Sequence, residues 1–270
     1  MPNTSLGRFA RHQWKENTHF HLHSEDQVLN LIAKKIGDAP ATGKALVLLD
    51  LDSTLYEVGP RTVAIVQEWL TTSPSLPQAL YQSLAALKPA QLGYSVKDTL
   101  ANLGFPVVTP ETERIAAELK AFWWDRFFSS SYMPHDRPYP GTVNYVKHLY
   151  ELGASLCYLT GRDETKMRPG TVANLVRDGF PFGSERIQLL MRQDPKASDA
   201  EHKVSQAKLL GADQWVIASF ENEPVNLVTL SKLLPETMHV YVDTVCSDAL
   251  AEPGKNLYYI RGFSSFLAKP

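Results

Sequence analysis

The sequence predicts an α/β fold, a parallel sheet core flanked by helices with an α-helical domain inserted into it, and three observations carry that prediction. From residue 45 onward short apolar runs alternate with longer helical patterns, the signature of βαβ units. Helical stretches run up to Gly153, Gly179 and Gly211, and glycine just past a helix end is the expected stop. Residues 50–154, between the first two apolar runs, far exceed the roughly dozen residues a crossover needs, so a further domain is inserted there.

Six strands are expected, at 45–49, 155–159, 187–191, 215–220, 239–242 and 257–260. Between them, Val172, Leu175 and Val176 mark one helix closing at Gly179, and Val204, Ala207 and Leu210 another closing at Gly211. In the insert, Val63, Val66 and Leu70 share a helix face, as do Ile115, Leu119, Phe122 and Trp123. The latter helix opens on Thr109 as N-cap with Pro110 in the first position. Residues 77–93 also read as helix, 129–140 as a Ser/Pro-rich linker, and Val143, Val146, Leu149 and Tyr150 as a helix ending at Gly153. The domains that follow are an N-terminal arm over 1–44, a core over 45–59 and 133–270, and a helical lobe over 60–132. The arm, helix-like at 27–36, is expected to pack on the core or to pair two copies as a homodimer.

Lysine and arginine number 27 against 29 aspartates and glutamates, a net charge of −2, which argues against a nucleic-acid partner held by bulk charge. The chain is 44% hydrophobic and 21% charged, ordinary for a globule, and no run approaches the ~18 apolar residues of a membrane span. The opening MPNTSLGRFARHQWKE has no apolar signal region, so no membrane partner and a cytoplasmic location are expected. Cys157 and Cys246 lie in or beside apolar runs and read as small buried hydrophobes. His19, His21 and His23 alternate, so an extended segment puts three imidazoles on one face. Without a companion ligand this reads as the polar edge of the arm and not as a zinc site.

The residues that carry chemistry recur at strand ends. The first strand runs into Asp50-Leu51-Asp52-Ser53-Thr54, and side chains two apart on a persisting strand face the same way, so Asp50 and Asp52 converge. Two adjacent carboxylates repel, and a magnesium ion, taking hard oxygen ligands, is the natural compensation. The second strand ends in Thr160-Gly161-Arg162, where a hydroxyl and free amides suit an anionic oxygen. Lys203 is the best-placed lysine on the helix after the third strand, with Lys196 and Lys208 as alternatives. The fourth strand ends in Phe220-Glu221-Asn222-Glu223, where Glu221 suits a metal and Glu223 a water-mediated contact or the N-terminus of the next helix. Taken singly, each has an ordinary reading as a turn, a cap or a solvated charge; their fixed order at successive strand ends is what distinguishes them.

Taken together, DLDST at 50–54, LTGR at 159–162, Lys203 and FENE at 220–223 resemble the motif set of the haloacid dehalogenase-like (HAD) hydrolase superfamily, across roughly residues 45–260. The run RPYPGTVNYVKHLYELGASLCYLTGR is similar to the stretch leading into that family's second motif. The resemblance implies a Rossmann-like core, with the helical lobe as a cap that closes over the site and selects small phosphorylated metabolites, of the nucleotide or sugar phosphate class. It implies Asp50 as the nucleophile forming an aspartyl-phosphate and Asp52 as general acid, then base. Thr160 and the Gly161 amide would hold the phosphoryl oxygens, and Lys203 would neutralise charge. Mg2+ would be held by Asp50, the Asp52 backbone carbonyl and Glu221. Asp52 selects phosphoryl transfer over dehalogenation, since a halide needs no proton. The fourth motif departs from the usual aspartates, having Glu221 and Glu223. Asp243, a spare strand-end carboxylate in VYVDT, is expected near the site without a metal bond, and Trp69, Tyr94, Trp123 and Trp124 chiefly in packing roles. The leading expectation is a phosphomonoester hydrolase. A phosphotransferase or phosphomutase, and a catalytically weak binding protein, stand as alternatives.

Overall fold

The computed structural model describes residues 7–39, 45–72, 75–194 and 196–267. In chain order it runs through α1 (Arg11–Asn17), α2 (Glu25–Gly37), β1 (Ala45–Leu49), β2 (Tyr56–Glu57), α3 (Gly59–Thr72), α4 (Gln78–Ala85), α5 (Val96–Asn102) and α6 (Pro110–Phe127). There follow β3 (Arg137–Pro138), α7 (Thr142–Glu151), β4 (Ser155–Asp163), α8 (Glu164–Asp178), β5 (Ile187–Arg192), α9 (Asp199–Asp213), β6 (Trp215–Glu221), α10 (Pro224–Leu233), β7 (Met238–Val242) and β8 (Leu257–Ile260). The chain divides into two compact units, one drawn from Met1–Tyr56, Pro138–Glu164 and Leu175–Pro270, the other from Glu57–Arg137 and Thr165–Asn174.

The first unit is the expected α/β core. Its six strands pair in parallel in the order β5-β4-β1-β6-β7-β8, with Leu48 beside Cys157 and Leu49 beside both Tyr158 and Phe220. Every residue of β1 and β7 is buried, which is why β1 reads as an unbroken apolar run and not as an alternating one, and β7 departs from that only at His239. On one face Leu46, Leu48, Cys157 and Leu159 pack against Ala207 and Leu210 of α9 and Leu230 of α10. The chain fills one side of β1, then crosses through α9 to the other, so the carboxyl ends of β4, β1 and β6 gather at the topological switch where open α/β sheets bind ligands.

Two element ends differ from expectation for identifiable reasons. Strand β4 runs on through Thr160-Gly161-Arg162 to Asp163, which pairs with Arg192 after a register shift, so these residues extend the sheet edge instead of turning away. Helix α9 passes through Gly211 to Asp213; a Cβ at Gly211 would stand 2.7 Å from Leu234 Cδ2, so the glycine answers to packing and not to helix termination. At Gly179 the expected stop is present, with φ +80 and its amide bonded to the Val176 carbonyl.

The N-terminal arm, described from residue 7 to 39 with residues 1–6 and 40–44 outside the described residues, belongs to this unit. Trp14 is completely buried among Leu227, Val228, Tyr241, Ala251 and Leu257. The His19 and His21 amides bond the Gly254 and Leu257 carbonyls, and the His21 ring stacks on Tyr258 at 4.5 Å.

The second unit closes on its own core of Val66, Trp69, Leu70, Leu80, Leu84, Leu100, Ile115 and Leu119. Thr109 caps α6 in a capping box with Thr112, and Pro110 follows it. The stretch expected as a linker is partly built in: Ser130–His135 forms a 3-10 turn, Met133 is buried, and Asn174 Nδ2 bonds the Met133 carbonyl at 2.7 Å. Beneath it a wholly buried Arg61 donates from Nε to Asp136 at 2.8 Å and from Nη1 to the Phe127 carbonyl at 3.0 Å. Of the four aromatics weighed in the sequence, Trp69 is core, Trp123 bonds Thr62, and Tyr94 and Trp124 are exposed.

Candidate active site

Strand β1 delivers Asp50 to the carboxyl edge of the sheet, its amide bonded to the Phe220 carbonyl of β6. Beyond it the chain folds back tightly. Ser53 takes a left-handed φ of +60, the Leu51 carbonyl accepts from Leu55 and Tyr56, and Thr54 returns beside Asp50. Thr54 Oγ1 lies 2.7 Å from Asp50 Oδ2 and 3.1 Å from Asn222 Oδ1. Asp50 is buried, whereas the Asp52 side chain keeps 31% of its surface exposed. The two carboxylates therefore occupy different environments.

Lys203, on α9, is the lysine that reaches the site; Lys196 and Lys208 are exposed. Its Nζ stands 2.7 Å from Asp50 Oδ1, 2.8 Å from Glu221 Oε2 and 3.2 Å from Asp199 Oδ2. Burial by itself would depress this ammonium, but the three carboxylates outweigh it and hold Lys203 well above its ordinary value. Burial pushes the Asp50 carboxyl up and Glu221 up to about 8, against the pull of Lys203. Three acids share one ammonium, and Asp199 Oδ1 is buried without a hydrogen-bond partner. This gathering of carboxyl oxygens offers hard ligands to a divalent cation, whose charge would favour their ionised form.

Glu221 is held from behind, its Oε1 accepting from the Asn222 and Glu223 amides at 3.1 and 3.0 Å. Glu223 turns elsewhere, accepting from the Ser247 amide at 2.9 Å and hydroxyl at 2.7 Å. Asp243 lies with Arg11 at 3.0 Å and Lys15 at 3.1 Å, which makes it an anchor for the arm. Among the described residues no three His, Cys, Asp or Glu side chains stand together as a ready coordination shell, the row His19, His21 and His23 included. Magnesium needs less than that, usually one or two carboxylates plus waters and substrate oxygens.

Thr160 is buried on β4 and its hydroxyl accepts from the Arg162 amide at 3.3 Å. Gly161 lies so near α9 that a Cβ would stand 2.2 Å from Asp199 Oδ1. Arg162 points its guanidinium at Asp52. Three participants thus escaped the sequence reading: Asp199, Asn222 and the Arg162 side chain. Asp199 did leave a signal, being four residues before Lys203 on one helix and so on the same face.

Among the described residues no helix is long and apolar enough to cross a membrane. No family model and no curated protein matches the sequence. Solved structures do match in shape. A haloacid dehalogenase-like family hydrolase from Streptococcus pneumoniae is 11% identical with a TM-score of 0.42, over 80% of this chain and 94% of that one. A HAD-superfamily hydrolase of subfamily IA, variant 1, from Geobacter sulfurreducens is 13% identical with a TM-score of 0.44, over 83% and 95%. A protein named as a predicted phosphoglycolate phosphatase from Haemophilus somnus is 14% identical with a TM-score of 0.45, over 83% and 96%. At such identities and scores they assign no activity to this chain.

Proposed function

We propose that this chain is a phosphatase of the HAD-like superfamily, a magnesium-dependent phosphomonoester hydrolase working through an aspartyl-phosphate on a small phosphorylated metabolite. The observation that carries this reading is the double hold on Asp50. One carboxylate oxygen is against Lys203 and the other against Thr54, at the carboxyl end of a central strand, with a second and more exposed carboxylate two residues on. A turn or a structural ion pair has no need of that second acid.

Asp50 attacks phosphorus in line, an Asp50 oxygen–phosphorus bond forms, and the bond to the leaving oxygen breaks. Asp52 hands its proton to that oxygen, releasing the alcohol. Asp52 then takes a proton from water, whose oxygen attacks phosphorus and frees Asp50 and inorganic phosphate. Lys203 offsets charge on Asp50 and on the phosphoryl oxygens, and Thr160 with the Gly161 amide orients those oxygens. The donor set fits magnesium: Asp50, the Asp52 backbone carbonyl and Glu221 would hold it, and the surplus of buried carboxylates over ammonium favours it. When bound, the ion supplies electrostatic stabilisation to the transferring group. The helical unit is assigned the part of substrate-selecting cap, which favours nucleotide or sugar phosphates over phosphoproteins.

Purified protein tested on nucleotide, sugar and aryl phosphates, with and without magnesium, checks the reading. Activity should require the metal and fall by about three orders of magnitude or more in Asp50→Asn. Wild-type activity in that variant overturns it. Phosphate transferred to an added alcohol in preference to water makes the chain a phosphotransferase, and phosphate binding without turnover makes it a binding protein.

A further inference from the structure

Arg162 is one of the most deeply buried charged side chains of the first unit, yet its guanidinium serves a carboxylate at the surface. Its Nε donates to both Asp52 oxygens at 3.1 Å, and Nη2 donates to Oδ1 at 2.5 Å. The Arg162 side chain is fully covered while Asp52 is about one third open. Burying an arginine carries a desolvation penalty that only good geometry repays, whereas a partly solvated aspartate in a turn has no equal need of such a partner. The fork fixes the plane of a carboxylate as no single-point donor can. The same residue's backbone amide bonds Thr160 Oγ1, so one residue of β4 touches both a phosphate-binding candidate and the proposed acid. Its Cζ lies 5.7 Å from the centroid of the Tyr56 ring, which is buried in the same unit.

Opposite, the turn that carries Asp52 is itself held in one shape. Ser53 is left-handed, its amide bonds the Tyr56 carbonyl at 2.8 Å, and its carbonyl accepts from the Thr244 hydroxyl. The backbone of Asp52 is thereby placed from one side and its carboxylate from the other, which leaves the side chain little rotational choice.

We propose that Arg162 is a positioning residue for the phosphatase reaction, its fork aligning the Asp52 carboxyl group with the leaving-group oxygen and then with the attacking water. This rests on the phosphatase reading above. Arg162 touches neither phosphorus nor the leaving group; it acts through Asp52. Its contribution is therefore felt where Asp52 must deliver a proton, and shrinks where it need not.

The test compares an alkyl phosphate, whose leaving oxygen needs a proton, with 2,4-dinitrophenyl phosphate, whose leaving group does not. Arg162→Lys keeps the charge and removes the fork. It should lower kcat about 10- to 100-fold on the alkyl phosphate with KM within about twofold, and far less in the phosphorylation half-reaction of the dinitrophenyl ester. In an Asp52→Asn background the same substitution should change kcat no further, because its effect passes through Asp52. Equal losses in the phosphorylation half-reaction of both substrates, a loss confined to KM, or a full loss on top of Asp52→Asn overturns the proposal. Asp52→Glu approaches the alignment from the exposed side and leaves the buried arginine in place: kcat should fall toward the Asp52→Asn level, and retention of wild-type kcat overturns the proposal even if Arg162→Lys fails to fold. Failure of the underlying reading looks different, as wild-type protein that turns over neither ester or an Asp50→Asn variant that retains activity.

Discussion

Gly161 and Asp199 occupy nearly the same space: a Cβ on the glycine would stand 2.2 Å from Asp199 Oδ1 and 2.7 Å from its Cγ. An aspartate is too short to swing clear without losing its bonds to Lys203 at 3.2 Å and Asn226 at 2.6 Å. Gly161→Ala should therefore displace Asp199, loosen Lys203 and lower kcat, with a stability loss of about 1–3 kcal/mol. Kinetics together with urea unfolding check this; unchanged values for both show that the strand and helix part freely.

A second expectation concerns the helical unit. Asp136 accepts from the fully buried Arg61, and Asn174 Nδ2 adds a bond at 3.2 Å. Asp136→Ala removes the carboxylate held by a buried guanidinium, which should cost about 3–5 kcal/mol. Denaturation followed by tryptophan fluorescence reports it, and a loss under about 1 kcal/mol contradicts this account of the pair.

Acid sensitivity should trace in part to His239. Its Nε2 faces the Leu234 carbonyl at 2.9 Å and so carries the proton, leaving Nδ1 to accept from the Ser219 hydroxyl at 2.7 Å. Burial lowers this imidazole to about 4, against the bond to Leu234. The unfolded chain binds a proton near pH 6.5 and the folded chain does not until about pH 4. This contribution to stability is present above the unfolded value and is lost as pH falls through that window, by up to about 3 kcal/mol. In His239→Gln the slope of stability against pH between those limits should flatten; an unchanged slope assigns the sensitivity elsewhere.

The arm should depend on Asp243. Burial would raise this carboxyl, but hydrogen bonds from Tyr259, Arg11 and Lys15 outweigh it and keep it below the usual range. Asp243→Ala should cost about 2–3 kcal/mol and speed hydrogen exchange in residues 7–23 before the sheet is affected. Exchange that rises equally everywhere argues against a local anchor.

The strands were legible because a parallel sheet covered on both faces writes itself as short apolar runs, as in ALVLL of β1 and WVIASF of β6. Asp50 and Asp52 stand out in the sequence because they follow the first of those runs, and Lys203 only through its place on the helix after the third strand; the structure brings Lys203 to 2.7 Å from Asp50. Asp199 does not stand out, because an acid four residues before a lysine on a helix reads equally as a surface pair, and only burial separates the two. The partner of Arg162 lies 110 residues away, a distance over which spacing carries no information. For the same reason the sequence could not foretell that residues 165–174 of α8 would cluster with the helical unit, where Gly170 comes so near Met133 that a Cβ would stand 2.8 Å from its Sδ.

Trp14 works as a stopper. Its indole closes a hollow lined by Leu227, Val228, Tyr241, Ala251 and Leu257, and its Nε1 reaches out to the Glu252 carbonyl at 2.8 Å. A chain shortened to begin at residue 24 would uncork that hollow beside the open edge of β8, presenting water with greasy side chains and an unsatisfied strand at once. Such a fragment should gather into aggregates through that edge, which gives residues 7–23 a shielding role whatever they contribute to the reaction.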